Sequence, residues 1–442
     1  MLPKVATKKQ KKVFKYMIKH PYSIVAVDPR LGKSLCAISV QQTLNKNCLI
    51  ICPSYLVSNW PKEIKKWASK DTQITVFRKG KDLYEPCDTD FVVISFDLVQ
   101  KAEHLFEWAD MVVIDEVHHL KSMSAKRTQA IHRCIYENSV PRVHLLSGTI
   151  LKNRVQEFYS PIAITYYNPK VEGEKDYGTF VKQTSSAQKF LDRFTDEIEF
   201  ADYFSYRREY KVKIEDKKGR IYTMPVAKWE GLRNVDQLKK YLLKRYIRVK
   251  ADDKDLPPVT YKPILISDSQ DKALLDAFNV YFSQEGTGSV KPDIKVEAAM
   301  KKVPFTISYV EDLLRNTECV LVYSDHVPSI EAIAKHFNVP AITGKMPSKK
   351  RSELADEFQA GKGNILCATI GSLKEGKDLF RAKDIVFNDL AWVSGDMKQV
   401  INRIRGLGEK TPRTAHYIFG SPQDQTIWDA LEEKQIVIDR AT

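Results

Sequence analysis

Short apolar runs recur near both ends of the chain, separated by stretches whose apolar residues follow helical spacing. In the first third the runs are "SIVAV", "NCLIICP", "DFVVISF", "MVVIDE" and "RVHLLSGT", with "SLCAISVQQTL" and "VSNWPKEIKKWAS" between them. A continuous apolar run, rather than strict alternation, is what a strand covered on both faces requires, and intervening helices supply the cover. The pattern predicts a parallel sheet. It lapses from about Ser160 to Lys250, where aromatic and basic residues interleave in "DYFSYRREYKVKIEDKKGRIYTM" and "LKKYLLKRYIRVK". "ADDKDLPPV" then breaks the chain, because two prolines cannot continue a helix. Beyond it the rhythm returns in "CVLVYS", "SIEAIAKHF", "NILCAT", "DIVFNDL" and "TAHYIFG". The expected organisation is α/β throughout: a first parallel-sheet domain over 1–161, a mainly helical, basic accessory insertion and linker over 162–255, and a second parallel-sheet domain over 256–442.

The bulk numbers narrow the partners. A chain of 442 residues suits two or three domains, and 43% hydrophobic residues are enough for proper cores. No apolar run is long enough to span a membrane, and the basic N-terminus lacks the apolar core of a signal peptide. Cys36, Cys48, Cys52, Cys87, Cys134, Cys319 and Cys367 form no C-x-x-C pair, so they read as buried thiols rather than zinc ligands. A reducing cytoplasm is expected. The net charge of +14 implies a polyanionic partner, and nucleic acid is the commonest.

Two segments carry chemistry. "VAVDPRLGKS" (25–34) approximates the phosphate-loop pattern G-x-x-x-x-G-K-[ST]: Gly32, Lys33 and Ser34 fit, whereas Val27 stands at the first glycine. Such a loop binds phosphate through backbone N–H groups and a helix N-terminus. Arg30, Leu31 and Gly32 would line it, Lys33 would reach the β- and γ-phosphates, and the Ser34 hydroxyl would ligate Mg²⁺. A left-handed non-glycine costs roughly 1–2 kcal/mol, so Arg30 is expected at negative φ, with Pro29 fixing the turn and the guanidinium reaching nucleotide or a nearby acid. In "MVVIDEVHH" an apolar strand ends in adjacent carboxylates. Asp115 would hold Mg²⁺, Glu116 would orient and deprotonate the attacking water, and His118 would relay between nucleotide and nucleic acid. ATP and Mg²⁺ are the cofactors this pairing implies.

"DEVH" followed by "LLSGTILKN" resembles the helicase motifs of superfamily two. The Swi/Snf-like branch, whose members translocate on duplex DNA, is the best match. "CLIICPSYLVSNWPKEIKKW", with Asn59, Trp60 and Trp67, resembles its signature strand–turn–helix, and "LKRYIRVKADDKDLPP" its basic helix and Leu-Pro-Pro linker. The resemblance implies two RecA-like motor lobes, an adenine contact from Gln10, and coupling of ATP state to DNA through Ser147 and Thr149. Ile150 replaces the proline usual after that threonine. "AWVSGDMKQVINRIRGLGEK" resembles the last motif, in which a glutamine is followed by arginines at +4 and +7. From Gln399, Arg403 is at +4, but +7 is Gly406, so the arginine finger is either Arg403 or the neighbouring Arg405. "CATIGSLKEGKDLF" matches the preceding motif at Thr369 and Gly376, with Asp378 where asparagine is usual. Ser324 and Lys345 are the implied phosphate-backbone contacts of the second lobe, and Gly344 and Arg351 match the motif around the latter.

In the insertion, Arg207, Arg208, Lys211, Lys213, Lys217, Lys218, Arg220, Lys228 and Arg233 lie among tyrosines, and Trp229 follows Lys228. Such clusters give salt-sensitive, sequence-independent DNA affinity, and aromatics there either stack on unpaired bases or form an ordinary core. The segment resembles the insertion of fork-remodelling and annealing members, and the chain's length that of small phage or prokaryotic ones. The expected function is an ATP-dependent DNA helicase or translocase, acting as a monomer on forked or branched DNA by unwinding or branch migration. The alternatives are a duplex translocase that displaces proteins without separating strands, and a degenerate motor that only binds DNA. An RNA helicase fits the linker and Asn-Trp signature less well.

Overall fold

The structure, a computed structural model, describes residues 2–84, 89–148, 154–167, 190, 193–215, 221–252, 256–266, 292–373, 378–391, 394–406, 408–420, 424, 428, 429 and 432. The chain forms two compact units. The described residues of the first lie within 2–206 and 231–251, and those of the second within 207–230 and 252–432.

Each of the five apolar runs of the first third is a strand, and a short sixth, β3, joins them: β1 (Tyr22–Val27), β2 (Cys48–Cys52), β3 (Ile74–Val76), β4 (Phe91–Ser95), β5 (Met111–Asp115) and β6 (Arg142–Ser147). β1, β2, β4 and β5 are buried along their whole length, as continuous apolar sequence requires of central strands. The helix Lys8–Lys19 precedes them, and the helices Lys33–Leu44, Trp60–Trp67 and Lys126–Glu137 lie between them in sequence. The first opens with a capping box: Gln10 N donates to Thr7 Oγ1 at 3.2 Å, and Thr7 N donates to Gln10 Oε1 at 2.9 Å.

The section expected to be mainly helical does contain helices, Glu197–Phe204 and Val235–Leu242. Between them lies a two-stranded sheet of β7 (Tyr206–Glu215) and β8 (Ile221–Glu230) that the reading did not anticipate. The alternation in "KVKIE" carried that signal. After β8 the chain returns to the first sheet as β9 (Tyr246–Val249), beside β1 with Val25 opposite Ile247. The sheet order is β3-β4-β2-β5-β6-β1-β9, and every pair is parallel. Aromatics of this section build a core: Phe190, Phe194, Phe200 and Phe204 are buried, with Tyr166 stacked on Phe190 at 4.6 Å and Phe200 against Phe204 at 4.7 Å.

The second unit repeats the plan. β10 (Val259–Leu265), β11 (Val320–Ser324), β12 (Ala341–Ile342), β13 (Ile365–Thr369), β14 (Asp384–Phe387) and β15 (Arg413–Phe419) form an all-parallel sheet ordered β10-β15-β14-β11-β13-β12. Helices Pro292–Leu314, Val327–His336, Ser348–Gln359 and Ser394–Ile401 accompany it. Among the described residues six cysteines are free and buried, and no helix is long and apolar enough to cross a membrane.

Candidate active site

β1 delivers the chain into the loop Asp28–Gly32, and the Lys33–Leu44 helix starts directly after it. Gly32 sits at φ 86°, and a Cβ there would lie 2.5 Å from Gln10 Nε2, so both conformation and space demand glycine. Arg30 does not have the negative φ expected: its φ is 69°. The strain, roughly 1–2 kcal/mol, is sustained because surrounding contacts over-determine the turn. Asp28 supplies them. Its Oδ1 accepts from Arg248 Nη2 at 2.6 Å, its Oδ2 accepts from Ala251 N at 2.8 Å, and its own N–H donates to Val249 O at 3.0 Å. Arg248 also donates to Gly148 O at 3.3 Å, joining the loop to the end of β6. Pro29 packs against Gly148, where an added Cβ would lie 3.1 Å from its Cδ. Lys33 Nζ donates to Val27 O at 3.2 Å. Half-buried Ser34 follows in the helix's first turn.

β5 ends on Asp115, which is buried. One carboxylate oxygen accepts from the Trp60 indole at 3.1 Å and the other from the Glu116 amide at 3.0 Å. Burial, and then the Glu116 charge, push the Asp115 carboxyl up to about 7, against the pull of the Lys33 ammonium and these two donors. Glu116 is left-handed, with φ 53°. Its Oε2 accepts from the Ser147 hydroxyl at 3.2 Å and lies 3.2 Å from His118 Nδ1, itself 3.3 Å from Ser147 Oγ. The Glu116 carboxylate, the buried His118 and the end of β6 therefore form one polar cluster. The loop, Lys33, Asp115, Glu116, His118 and Ser147 all belong to the first unit. Gln10 is there as well, its Nε2 beside Gly32.

This donor set fits a magnesium nucleotide. A glycine cradle that a Cβ would fill, an ammonium at the head of a helix, and an adjacent acid pair, Asp115 buried and Glu116 half-buried, whose mutual repulsion a divalent cation would relieve are complementary to Mg²⁺ and polyphosphate.

In the second unit the expected residues are placed differently. Ser324 is wholly buried at the end of β11, and its hydroxyl lies 2.5 Å from Asp389 Oδ2 and 2.6 Å from Ser329 Oγ. It is spent inside the fold rather than presented to a phosphate. Lys345 is exposed, and Thr369 is buried at the end of β13. Arg351 donates to Ser372 O at 2.9 Å. Arg405 donates from Nε to Pro257 O at 2.8 Å and from Nη1 to Asn402 Oδ1 at 3.3 Å, so it ties the last motif to the Leu-Pro-Pro segment. Half-buried Arg403 lies in the 3₁₀ turn Asn402–Ile404. Thr149 and Gly376 lie outside the described residues.

Arg207 and Arg208 are exposed on β7, with Arg207 3.3 Å from Glu209 on the same strand face, and Trp229 is half-buried on β8. Arg233 is also exposed and donates to the carbonyls of Tyr203 and Asp202. Sequence reasoning missed Asp28 and Arg248, and it missed that Trp60 holds Asp115. The tryptophan stood out in its signature, but nothing local links Arg248 to an acid 220 positions earlier.

The chain is similar to known proteins along most of its length. A model described as the SNF2-related domain matches residues 9–272, and one described as the helicase conserved C-terminal domain matches 305–406. Mouse "DNA annealing helicase and endonuclease ZRANB3" is 23% identical over 432 residues, covering 93% of this chain and 38% of the relative. Xenopus tropicalis "SWI/SNF-related matrix-associated actin-dependent regulator of chromatin subfamily A-like protein 1" is 24% identical over 446 residues, covering 95% and 43%. The chain thus spans about two fifths of the length of these relatives. The solved "Sulfolobus solfataricus SWI2/SNF2 ATPase core in complex with dsDNA" aligns over 99% of this chain and 93% of that one at 18% identity, with a TM-score of 0.41. Since the SNF2-related model covers more than half of the 442 residues, the chain belongs to the SNF2-related family.

Proposed function

We propose that the protein is a DNA-dependent ATPase that translocates on DNA and remodels forked or branched junctions, by unwinding or branch migration. The observation that carries this reading is the convergence of Lys33, Asp115, Glu116, His118 and Ser147 on one unit, beside a glycine-cradled loop.

In this reading the amides of Arg30 to Ser34 and the helix N-terminus bind the phosphates, with Gln10 on the base and Gly376 contributing to nucleotide contact. Lys33 holds the terminal phosphates in place. Ser34 and Asp115 would hold Mg²⁺, which when bound supplies positive charge to the phosphoryl oxygens. Glu116 orients the attacking water and takes its proton. His118 and Ser147, bonded to the same carboxylate, pass its state toward Thr149 and the DNA. Arg403 and Arg405 are both kept as candidate fingers, and Arg405 also serves Pro257 and Asn402. Lys345, Thr369, Arg207, Arg208 and Trp229 are assigned to DNA contact or coupling, whereas Ser324 supports the end of β11 through Asp389. A monomer in a reducing cytoplasm, a host's if the gene is a phage's, belongs to the same proposal.

The names of the relatives supply the substrate. "DNA annealing helicase" supports junction remodelling, and "DNA repair and recombination protein RAD54-like" of Drosophila pseudoobscura, 22% identical, is consistent with it. "Regulator of chromatin" favours the second reading, movement of DNA-bound proteins without strand separation. ATPase rates on single-stranded, duplex, forked and four-way DNA, each at two salt concentrations, test the first reading. Forked DNA with and without a bound blocking protein separates the two. DNA-stimulated hydrolysis that survived Lys33→Ala would overturn the site assignment.

A further inference from the structure

From the N-terminus to Lys62 the sequence holds eleven lysines and arginines and one acid, Asp28. That acid is already committed to Arg248 and the Ala251 amide. Much of the excess charge is on the Lys8–Lys19 helix. Gln10, Val13 and Met17 form its buried face. Lys8, Lys11, Lys12, Lys15 and Lys19 are exposed, and at 3.6 residues per turn they fall within an arc of roughly 100°. Exposed Lys4 precedes them. Among the described residues, none of these lysines pairs with a carboxylate.

Helix stability does not account for this stripe. Like charges three and four residues apart repel. The first turn carries lysines and no acid, the wrong sign for the positive end of the helix dipole. The positive surface continues past the helix. Lys239, Lys240 and Lys244 are exposed, and Asp236 is the one acid between Gly231 and Lys250. His20 is held below the usual imidazole range by burial and then by Lys19, Lys244 and Arg245, which shows that these charges meet at the helix's C-terminal end. The neighbouring Lys33–Leu44 helix has no acid.

The geometry points to this face as a binding site for the phosphate backbone of duplex DNA, separate from the motif residues and resting on the DNA reading above. From Lys8 to Lys19 the stripe is about 16 Å long, at 1.5 Å per residue. That matches about five phosphates of one strand at roughly 3.4 Å each along the duplex axis. Lysine point charges without an exposed aromatic among them suit sequence-independent contact. A membrane surface is the poorer partner, because an interfacial helix needs its apolar face for lipid, and here that face is buried.

The test compares the full chain with Lys8→Gln/Lys11→Gln/Lys12→Gln/Lys15→Gln and with a charge-matched control, Lys301→Gln/Lys335→Gln/Lys362→Gln/Lys383→Gln. Binding to a labelled duplex is followed by fluorescence anisotropy across a salt series, with ATPase activity without DNA and thermal unfolding as checks on folding. Each lost phosphate contact flattens the slope of log affinity against log salt by about 0.9. The stripe variant is therefore expected to flatten it by roughly 2 to 4, with the control and the DNA-free ATPase rate unchanged. Wild-type binding with the same slope in the stripe variant overturns the inference and leaves the proposed function intact. A wild-type protein that binds no DNA overturns both. Loss of binding to anionic lipid vesicles, with the DNA slope unchanged, reassigns the face and overturns the inference.

Discussion

Each unit buries an aspartate just at or beyond the end of a parallel strand, and the two are treated in opposite ways. Asp389, past β14, accepts from the Ser324 hydroxyl at 2.5 Å, the Asp325 amide at 2.7 Å and the Asn388 side chain at 2.9 Å. Asn388 in turn accepts from Thr306 and donates to Ala299 O. Asp115, at the end of β5, has one indole and one amide, with a second carboxylate next to it. A carboxylate surrounded by donors is a structural part, because its lone pairs are already used. One held out of water beside a like charge stays costly until a cation arrives, and that is the signature of a working site. The same architecture thus holds an under-satisfied acid pair in one unit, where the proposed chemistry falls, and a locked polar network in the other.

The largest separation comes from replacing the two acids in parallel. Glu116→Gln keeps the size of the side chain and removes the base, so DNA-stimulated hydrolysis should fall by about 10²–10⁴-fold while DNA binding persists, read by steady-state ATPase and anisotropy. Asp389→Asn should leave nucleotide binding to the first unit in place and destabilise the second by about 1–3 kcal/mol, the cost of a disturbed buried hydrogen-bond network, read by urea unfolding. A first-unit loss of stability in Asp389→Asn would break the comparison.

Acid should also distinguish the units. His132 is buried between Tyr167 Oη and Ser160 Oγ, each at 2.9 Å, and burial holds it down to about 3. His144, against Ser23 Oγ at 2.7 Å, is also lowered well below the usual imidazole range, by burial and then by Arg142. A depressed folded value means that the unfolded chain takes up the proton first. The stability is therefore present above about 6.5 and lost as pH falls from there, at about 1.4 kcal/mol per pH unit for each histidine. In the second unit Asp384 is instead kept below the usual carboxylate range, its burial outweighed by the His416 and Thr317 hydrogen bonds. Its contribution survives until pH drops below the ordinary carboxylate value. Asp115, raised to about 7, works the other way and offsets one of the two histidines as pH falls, so the net loss in the first unit is smaller but keeps its sign. The first unit should unfold first on acidification, and His132→Gln should recover about 2 kcal/mol at pH 5 relative to the wild-type loss.

The central strands of both sheets were legible in the sequence, because buried parallel strands must be continuously apolar, whereas the short strands β3 and β12 and the largely exposed β10 were not. The places of Lys33, Asp115 and Glu116, at or just past the end of a buried strand, were legible for a related reason: each lies at or soon after the end of an apolar run. What escaped depended on distance or local override. β9 is an edge strand of four residues, half-buried at Tyr246 and Arg248, and no local pattern says that it returns to β1. Arg30 is left-handed because Asp28, gripped from the far end of the unit, sets the turn. Ser324 looked like a surface contact because its neighbours in sequence do not include Asp389.

Trp60 gives the finest test of the contrast, since it is one of only two hydrogen-bond donors to Asp115 among the described residues. Trp60→Phe keeps a large apolar ring in the buried site and removes the N–H. The fold should lose about 1 kcal/mol, the net worth of one hydrogen bond. Asp115 should become harder to ionise, because a donor to its charged form is gone while burial and Glu116 still oppose it. Magnesium binding needs the ionised form. The variant should therefore bind a fluorescent ATP analogue up to about tenfold more weakly with Mg²⁺, and equally well in excess chelator, where Lys33 and the loop amides still act. Equal weakening in both conditions would mean that Trp60 only packs the helix beneath the loop. A loss confined to the magnesium arm would show that the under-satisfied acid of the first unit is tuned through its donors, as the satisfied acid of the second is not.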